Sequence, residues 1–205
     1  MKKIMIVLCS VLCFLSLSLI FFSITQIFLS DQKIEHSLKE WNEKVASISI
    51  IPSHASAAGV DDERENNAIQ SNTPKQGEVV GKIIFPKLSE EFPIIEGTNE
   101  EQLSRGVGHY IGSVLPGMKD NSVLAGHRDG VFQNLNQLNN GDLIKVETIT
   151  GVYTYKISKQ QIVDENDRTI IVPTNEATLT LVTCYPFNFI GPAPKRYIIT
   201  AHLTE

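Results

Sequence analysis

The sequence predicts one all-β domain, barrel or sandwich, behind a single N-terminal apolar helix. Three observations carry this. Residues 79–203 hold eight or so short apolar runs, several alternating with polar residues and most bounded by Gly, Pro or Asn. Helical spacing within that stretch never lasts beyond a turn or two. Ahead of it, the 26 residues from Ile4 to Leu29 carry no charge.

That apolar run follows Lys2 and Lys3. As a helix it would be about 39 Å long, enough to cross a hydrocarbon core of about 30 Å with tilt. A cleavable signal peptide would have a shorter apolar core and a small-x-small site close behind it. The nearest such site, Ala55-Ser56-Ala57, lies about 25 residues too far along. Residues 1–30 are therefore expected to be an uncleaved single-pass anchor, its Lys pair cytoplasmic and everything after Ser30 outside the cell. Ile34, Leu38, Trp41 and Val45 then recur on one face of a helix, which could extend the membrane helix as a solvated stalk, lie on the membrane or pack on the domain, the stalk being the preferred expectation. Residues 52–77 are polar and poor in large apolar side chains, a flexible linker whose charge run at 61–65 is solvated rather than metal-binding. Stalk and linker occupy 31–77, and the folded domain 78–205.

Within that domain, 79–85 is a strand stopped at Pro86, and 92–96 a second, short one. Thr98-Asn99-Glu100-Glu101 fits a capping box, so a short helix is expected to about Ser104. Strands at 106–111 and 122–126 follow, separated by a Pro116-Gly117 turn. Phe132, Leu135 and Leu138 mark one or two helical turns. Residues 142–149 and 152–163 alternate across Thr150-Gly151, a hairpin. A strand at 169–172 reaches Pro173, and 177–184 and 196–203 close the set.

Charge and cysteine usage narrow the function. Of 18 basic residues only Lys2 and Lys3 precede Asp31, so 16 face 23 acidic residues in the exported part. That balance argues against binding nucleic acid, or anionic lipid through a basic face. Cys9 and Cys13 lie in the apolar run, leaving Cys184 the one exported cysteine, with no partner for an intrachain disulfide. From the count alone, nucleophile and inert buried thiol are level readings.

A nucleophilic thiol needs a base or a positive neighbour, because the thiolate attacks. His36 and His54 fall in stalk and linker, and His202 sits at the far end of its strand from Arg196. His109 lies within a strand pattern and suits a hydrogen-bonded structural role, whereas His127 ends an apolar strand after Gly126 and opens a polar loop. Arg196 follows Lys195, and a solvated basic pair is the plain reading. Facing inward beside Cys184, its guanidinium would instead hold negative charge on a substrate carbonyl. Tyr185, Phe187 and Phe189 in the loop at 185–195 could wall a groove or plug the core. Asp164, Glu165 and Asp167 could gather a hard cation, but nothing else supports it, and neither metal nor cofactor is expected.

Thr180-Leu-Val-Thr-Cys184, a following Pro-containing loop, Lys195-Arg196-Tyr197 and the upstream Gly126-His127 resemble the sortase pattern. The Arg stands twelve residues after the Cys and the His fifty-seven before it. Gly106-Val-Gly-His-Tyr110, Leu124-Ala-Gly-His-Arg-Asp-Gly-Val-Phe132 and the stretch 183–197 are similar to class D sortases of Gram-positive spore formers. The resemblance runs from about Val79 onward and implies a closed eight-stranded β-barrel with short helices. It implies a cysteine transpeptidase with Cys184 as nucleophile, His127 as general acid/base and Arg196 as transition-state stabiliser. An LPxT-type sorting signal, with Ala favoured after the Thr, would be cut through a thioacyl intermediate. A peptidoglycan precursor or cross-bridge amine would then take the acyl group, fixing the surface protein to the wall.

The stretch before Val79 lacks the Asp-Pro-aromatic lid of the pilin-polymerising class, and no second span follows Glu205, so pilus assembly is not expected. The stretch 172–177 leaves no room for the extra helix of class B. Two rivals fit less well. Another cell-wall cysteine peptidase would order its Cys and His, or space its Cys and Arg, differently. A membrane-tethered β-domain that only binds a partner leaves the coincidence of Cys184, His127 and Arg196 at strand ends unexplained.

Overall fold

Alternating apolar residues become strands whose inward faces meet in one core. In the computed structural model, which describes residues 2–49, 73–188 and 191–204, eight strands close into a barrel. They are β1 (Val79–Phe85), β2 (Glu90–Glu96), β3 (Val107–His109), β4 (Asp120–Ala125), β5 (Leu143–Thr148), β6 (Gly151–Asp164), β7 (Ala177–Tyr185) and β8 (Lys195–Leu203). Their order around the barrel is β1-β2-β3-β4-β7-β8-β6-β5. Closure leaves no unpaired edge. Neighbours pair antiparallel except β2 with β3 and β4 with β7, which are parallel.

The interior is filled by Ile83, Phe85, Ile94, Val107, Leu124, Ile144, Leu179, Leu181 and Ile199, all fully buried. Phe132, Leu135 and Leu138, around a 3-10 turn at Leu135–Gln137, extend that core, with Phe132 edge-on to Phe85 at 6.2 Å. The predicted hairpin forms between β5 and β6, with Thr148 opposite Gly151. Two local expectations fail. The short helix α2 (Glu100–Leu103) forms, but its N-cap is Asn99 and no side-chain cap bond is made, so the capping box is absent. The strand expected at 169–172 is irregular, because its carbonyls bond a side chain rather than a neighbouring strand, as described below.

Ahead of the barrel, α1 is one helix, Lys2–Ser49. Lys3–Ser23 is long and apolar enough to cross a membrane, with a mean hydropathy of 2.8. The solvated stalk expected after it is instead docked on the barrel. Trp41 is 1% exposed against Val79 and Ile95 on the outer face of β1 and β2, and Ile34 packs against the main core. Polar contacts flank this seam. Lys44 Nζ lies 2.6 Å from Glu78 Oε1 and 3.1 Å from the Val79 carbonyl, and Arg105 Nη2 lies 3.3 Å from Glu40. The hydrogen bond from Lys44 holds the Glu78 carboxyl below its ordinary range. Burying an indole of about 200 Å² is worth about 5 kcal/mol, against about 1 kcal/mol or less for half-exposed ion pairs. Apolar burial therefore dominates the docking. The stripe ends there, with Val45 exposed. The linker and its charge run fall almost wholly in residues 50–72, outside the described residues.

Trp41 is the only tryptophan. The detergent-solubilised full chain should show blue-shifted tryptophan emission resistant to iodide quenching, whereas a solvated stalk would give red-shifted, readily quenched emission.

Candidate active site

The parallel pairing of β4 with β7 aligns two strand ends. Asp120 stands opposite Ala177, and the register runs without a break to Ala125 opposite Val182. Beyond it, the Gly126 amide donates to the Val182 carbonyl at 3.2 Å, and Thr183 Oγ1 donates to the Gly126 carbonyl at 2.7 Å. Two residues past Ala125 and Val182, His127 thus stands alongside Cys184. On the other side, β7 pairs antiparallel with β8, and Cys184 stands opposite Arg196. Leu179 and Leu181 point into the barrel, so by alternation Val182 and Cys184 point outward. The three sequence-predicted residues form one transverse row on the outer wall.

Each is held locally. A Cβ at Gly126 would come within 2.7 Å of Phe132 and Val131, so glycine lets the loop bearing His127 fold over those side chains. Part of the His127 ring is exposed, but its Nε2 is covered by the Glu100 carboxylate, 3.4 Å away without hydrogen-bond geometry. Arg196 donates through Nη1 to the carbonyls of Ala193 and Lys195 at 2.9 and 3.0 Å, and through Nη2 to Glu165 at 3.3 Å. These bonds take three of the five donors of a guanidinium. Cys184 is half-buried at the end of β7.

The segment 165–176 crosses the outer face beside this row as a strap. Asn121 Nδ2 donates to the carbonyls of Ile170 and Val172 at 3.3 and 3.1 Å, and Thr180 Oγ1 donates to Asn121 Oδ1 at 2.7 Å. Asp120 Oδ1 accepts the amides of Thr174 and Asn121, both at 2.7 Å. The Thr174 amide, then that of Asn121, holds the Asp120 carboxyl below its ordinary range. Within the strap, Asp167 accepts from the Thr169 hydroxyl and amide, and Asp164 accepts from Asn166. The acidic trio thus secures its own loop and Arg196. Among the described residues, no cluster of three or more His, Cys, Asp or Glu could hold a metal ion.

Two contributors escaped the sequence reading. Arg128 reaches across to the β7–β8 connection, donating through Nη1 to the Pro186 carbonyl at 3.0 Å and through Nη2 to that of Gly191 at 2.8 Å. Glu100 serves the site from α2 rather than a helix cap. Only the adjacency of Arg128 to His127 could have suggested the first, and no sequence signal pointed to the second. Tyr185 and Phe187 plug the barrel mouth rather than wall a groove; they pack on the core, with Phe187 edge-on to Tyr197 at 5.2 Å. Phe189 and His54 lie outside the described residues. His109 is structural, its Nδ1 2.8 Å from Glu96 and its Nε2 3.0 Å from the Val114 carbonyl. His202 lies 3.1 Å from Glu176, opposite Thr178 at the other end of β7.

A family model of the sortase domain matches residues 83–204. The chain belongs to the sortase family. Sortase D of Bacillus subtilis (strain 168) is 41% identical over 172 residues, covering 83% of this chain and 84% of that protein. A Clostridium perfringens Sortase D5 transpeptidase superposes with a TM-score of 0.66 at 27% identity, over 85% of this chain and 99% of that one. The catalytic domain of B. anthracis SrtD is 39% identical with a TM-score of 0.56, covering 75% and 97% of the two chains. This sortase is accordingly a cysteine transpeptidase, and its closed eight-stranded barrel is the family's.

Two outcomes follow for its loops. Removing the carboxylate in Asp120→Ala should lower the melting temperature by loosening the strap. Because the folded-state carboxyl is depressed, its stabilisation is fully present above the ordinary value of 3.8 and lost as pH falls through the lowered one. The gap between wild type and variant in a pH series of thermal melts should therefore be wide near neutrality and close in acid. Arg128→Ala should speed amide hydrogen exchange at Phe187, Asn188, Gly191 and Ala193, with Arg128→Lys giving incomplete recovery because a single ammonium cannot reproduce the two-nitrogen fork.

Proposed function

We propose that this sortase is a single-pass membrane protein, N-terminus cytoplasmic and barrel extracellular, that cuts an LPxT-type sorting signal after its Thr. The Cys184 sulfur, as thiolate, attacks the Thr carbonyl carbon and forms an S–C bond. The tetrahedral oxyanion collapses, the C–N bond breaks, and His127 as imidazolium gives its proton to the departing amine. The acyl group is left as a thioester on Cys184. An amine of a peptidoglycan precursor or cross-bridge then attacks that carbonyl, His127 takes its proton, and the C–S bond breaks to restore the thiolate. Arg196 steadies the oxyanion in both halves with donors its resting bonds leave over, or by exchanging a carbonyl partner for the substrate.

The observation that carries this reading is the row His127–Cys184–Arg196 on one outward face, set by two strand registers. The membrane placement rests on Lys3–Ser23 and the Lys pair before it. Family membership supports transpeptidation, and the likeness to Sortase D makes Ala the first residue to try after the Thr.

The test is incubation of the full chain in detergent with an LPxTA or LPxTG peptide and a free amine, followed by mass spectrometry. The expected product carries the amine on the Thr carboxyl. Cys184→Ala should abolish both product and the covalent adduct. His127→Ala should cost about 10²–10⁴-fold in kcat/KM, and Arg196→Ala about 10²–10³-fold, falling mainly on kcat. Full turnover by Cys184→Ala would sink the nucleophile assignment, and an unchanged kcat in Arg196→Ala would remove the guanidinium from the transition state.

A further inference from the structure

The outer face of the barrel carries a fourth group in line with the His127–Cys184–Arg196 row. Val107 points into the core, so Gly108 beside it points outward. A Cβ on Gly108 would meet Leu103 Cδ2 at 2.8 Å, which places α2 on the outer face over β3. On its other side β3 pairs with β4, Gly108 standing opposite Ala125. The order across the outer face is therefore α2 over β3, His127 just past β4, Cys184 on β7 and Arg196 on β8. Glu100, the first residue of α2, completes it, with Oε2 3.4 Å from His127 Nε2.

The extended row runs from an anion to a cation. Glu101, next in sequence, instead lines the cavity between α1 and α2 with Lys33, His36 and Arg105, so Glu100 is the carboxylate turned toward the row. Among the described residues His127 is its only ion-pair partner, and no hydrogen bond engages its carboxylate. Its side chain is 83% exposed, which leaves the second oxygen open to an incoming group. At the opposite end stands the Arg196 guanidinium. A site with one sign of charge at each end sorts the groups that enter it.

We propose that Glu100 receives the acceptor amine in its ammonium form and so determines a preference for cationic nucleophiles over uncharged ones, water included. The proposal rests on the acyl-transfer reading above. Two chemical requirements put the amine at the Glu100 end. It must sit where His127 can take its proton, and it must stay clear of the oxyanion held toward Arg196. An aliphatic amine, with an ordinary pKa of about 8 to 10, is mostly protonated at neutral pH. The carboxylate therefore meets a cation and raises its concentration beside the thioester, while an uncharged competitor gains nothing. Held there, the ammonium releases one proton to the water around the exposed carboxylate. The free amine then attacks the thioester carbon, and one of its two remaining protons passes to the neutral His127 left by the first half-reaction. The C–S bond breaks to give amide, thiolate and imidazolium.

The experiment is a competition for one thioester. The full chain in detergent is incubated at neutral pH with an LPxTA or LPxTG peptide and equal concentrations of glycinamide, mostly ammonium there, and hydroxylamine, mostly uncharged. Mass spectrometry reads the ratio of the two products, from which any change in folding or in the acylation rate cancels. Glu100→Gln should move that ratio about two- to fivefold toward hydroxylamine. Glu100→Lys should move it further, and Glu100→Asp, which keeps the charge, less than Glu100→Gln. Added salt should move the wild-type ratio the same way and have little effect on Glu100→Gln. A ratio unchanged in Glu100→Gln overturns the proposal, as does a salt dependence that survives the substitution intact. A wild type that forms neither acyl-enzyme nor product removes the acyl-transfer reading and this proposal together. Both products in a ratio indifferent to residue 100 remove this proposal alone.

Discussion

The parallel pairing of β4 with β7 is the constraint on which the site depends. Two strands distant in sequence lie side by side because β5 and β6 are spent on the far wall of the barrel between them. Parallel neighbours end at the same level, so both chains turn off the sheet at one rim. That rim receives His127 from one strand and Cys184 from the next, and the antiparallel partner β8 starts there with Arg196. A slip of one residue in either register would turn one member of the row into the barrel. Leu124, Leu181 and Ile199 oppose such a slip, since each would be carried from the core into solvent. Core packing and the alignment of these three side chains are thus one requirement.

Placing the row outside the barrel leaves the inside free to be apolar but demands separate walls. The strap at 165–176 supplies one, fastened by Asp120 and Asn121 at its far end and touching Arg196 through Glu165 at its near end. The connection after β7 supplies another, drawn toward the catalytic loop by Arg128. Both fastenings use backbone carbonyls or amides of irregular segments that would otherwise go unpaired. Polar side chains near the row therefore shape its walls.

The strands were legible because alternation and Gly/Pro punctuation are local properties, and all eight had boundaries within about two residues of the expected ones. Residues 169–172 misled for a local reason as well. Their apolar content suits a strand, but the partner that takes the carbonyls is the side chain of Asn121, some fifty positions away. Cys184, His127 and Arg196 could be singled out as candidates because so few residues could replace them, one thiol above all. Glu100 and Arg128 were not, since an exposed acid and a basic neighbour of a histidine are ordinary surface features until the fold sets something opposite them. The stalk failed on energetics. Trp41 in a helical stripe was correctly seen, yet only the barrel reveals that Val79 and Ile95 on its outer face need covering.

The histidine of β3 and the one on the loop after β4 are held in different ways. His109 lies inside the barrel, where both ring nitrogens are engaged, by Glu96 at 2.8 Å and by the Val114 carbonyl at 3.0 Å. A carbonyl can only accept, so Nε2 must donate to it unless the Ser113 hydroxyl, 3.2 Å away, takes over that nitrogen. Either way the ring is engaged by neighbours on both sides, which suits a tie between chain segments. His127 has no such lock. Its loop is placed by Gly126 and Thr183, but its Nε2 faces only the exposed Glu100 carboxylate, 3.4 Å away without hydrogen-bond geometry. A ring positioned through its backbone, with an Nε2 that makes no hydrogen bond, keeps a freedom that His109 has lost.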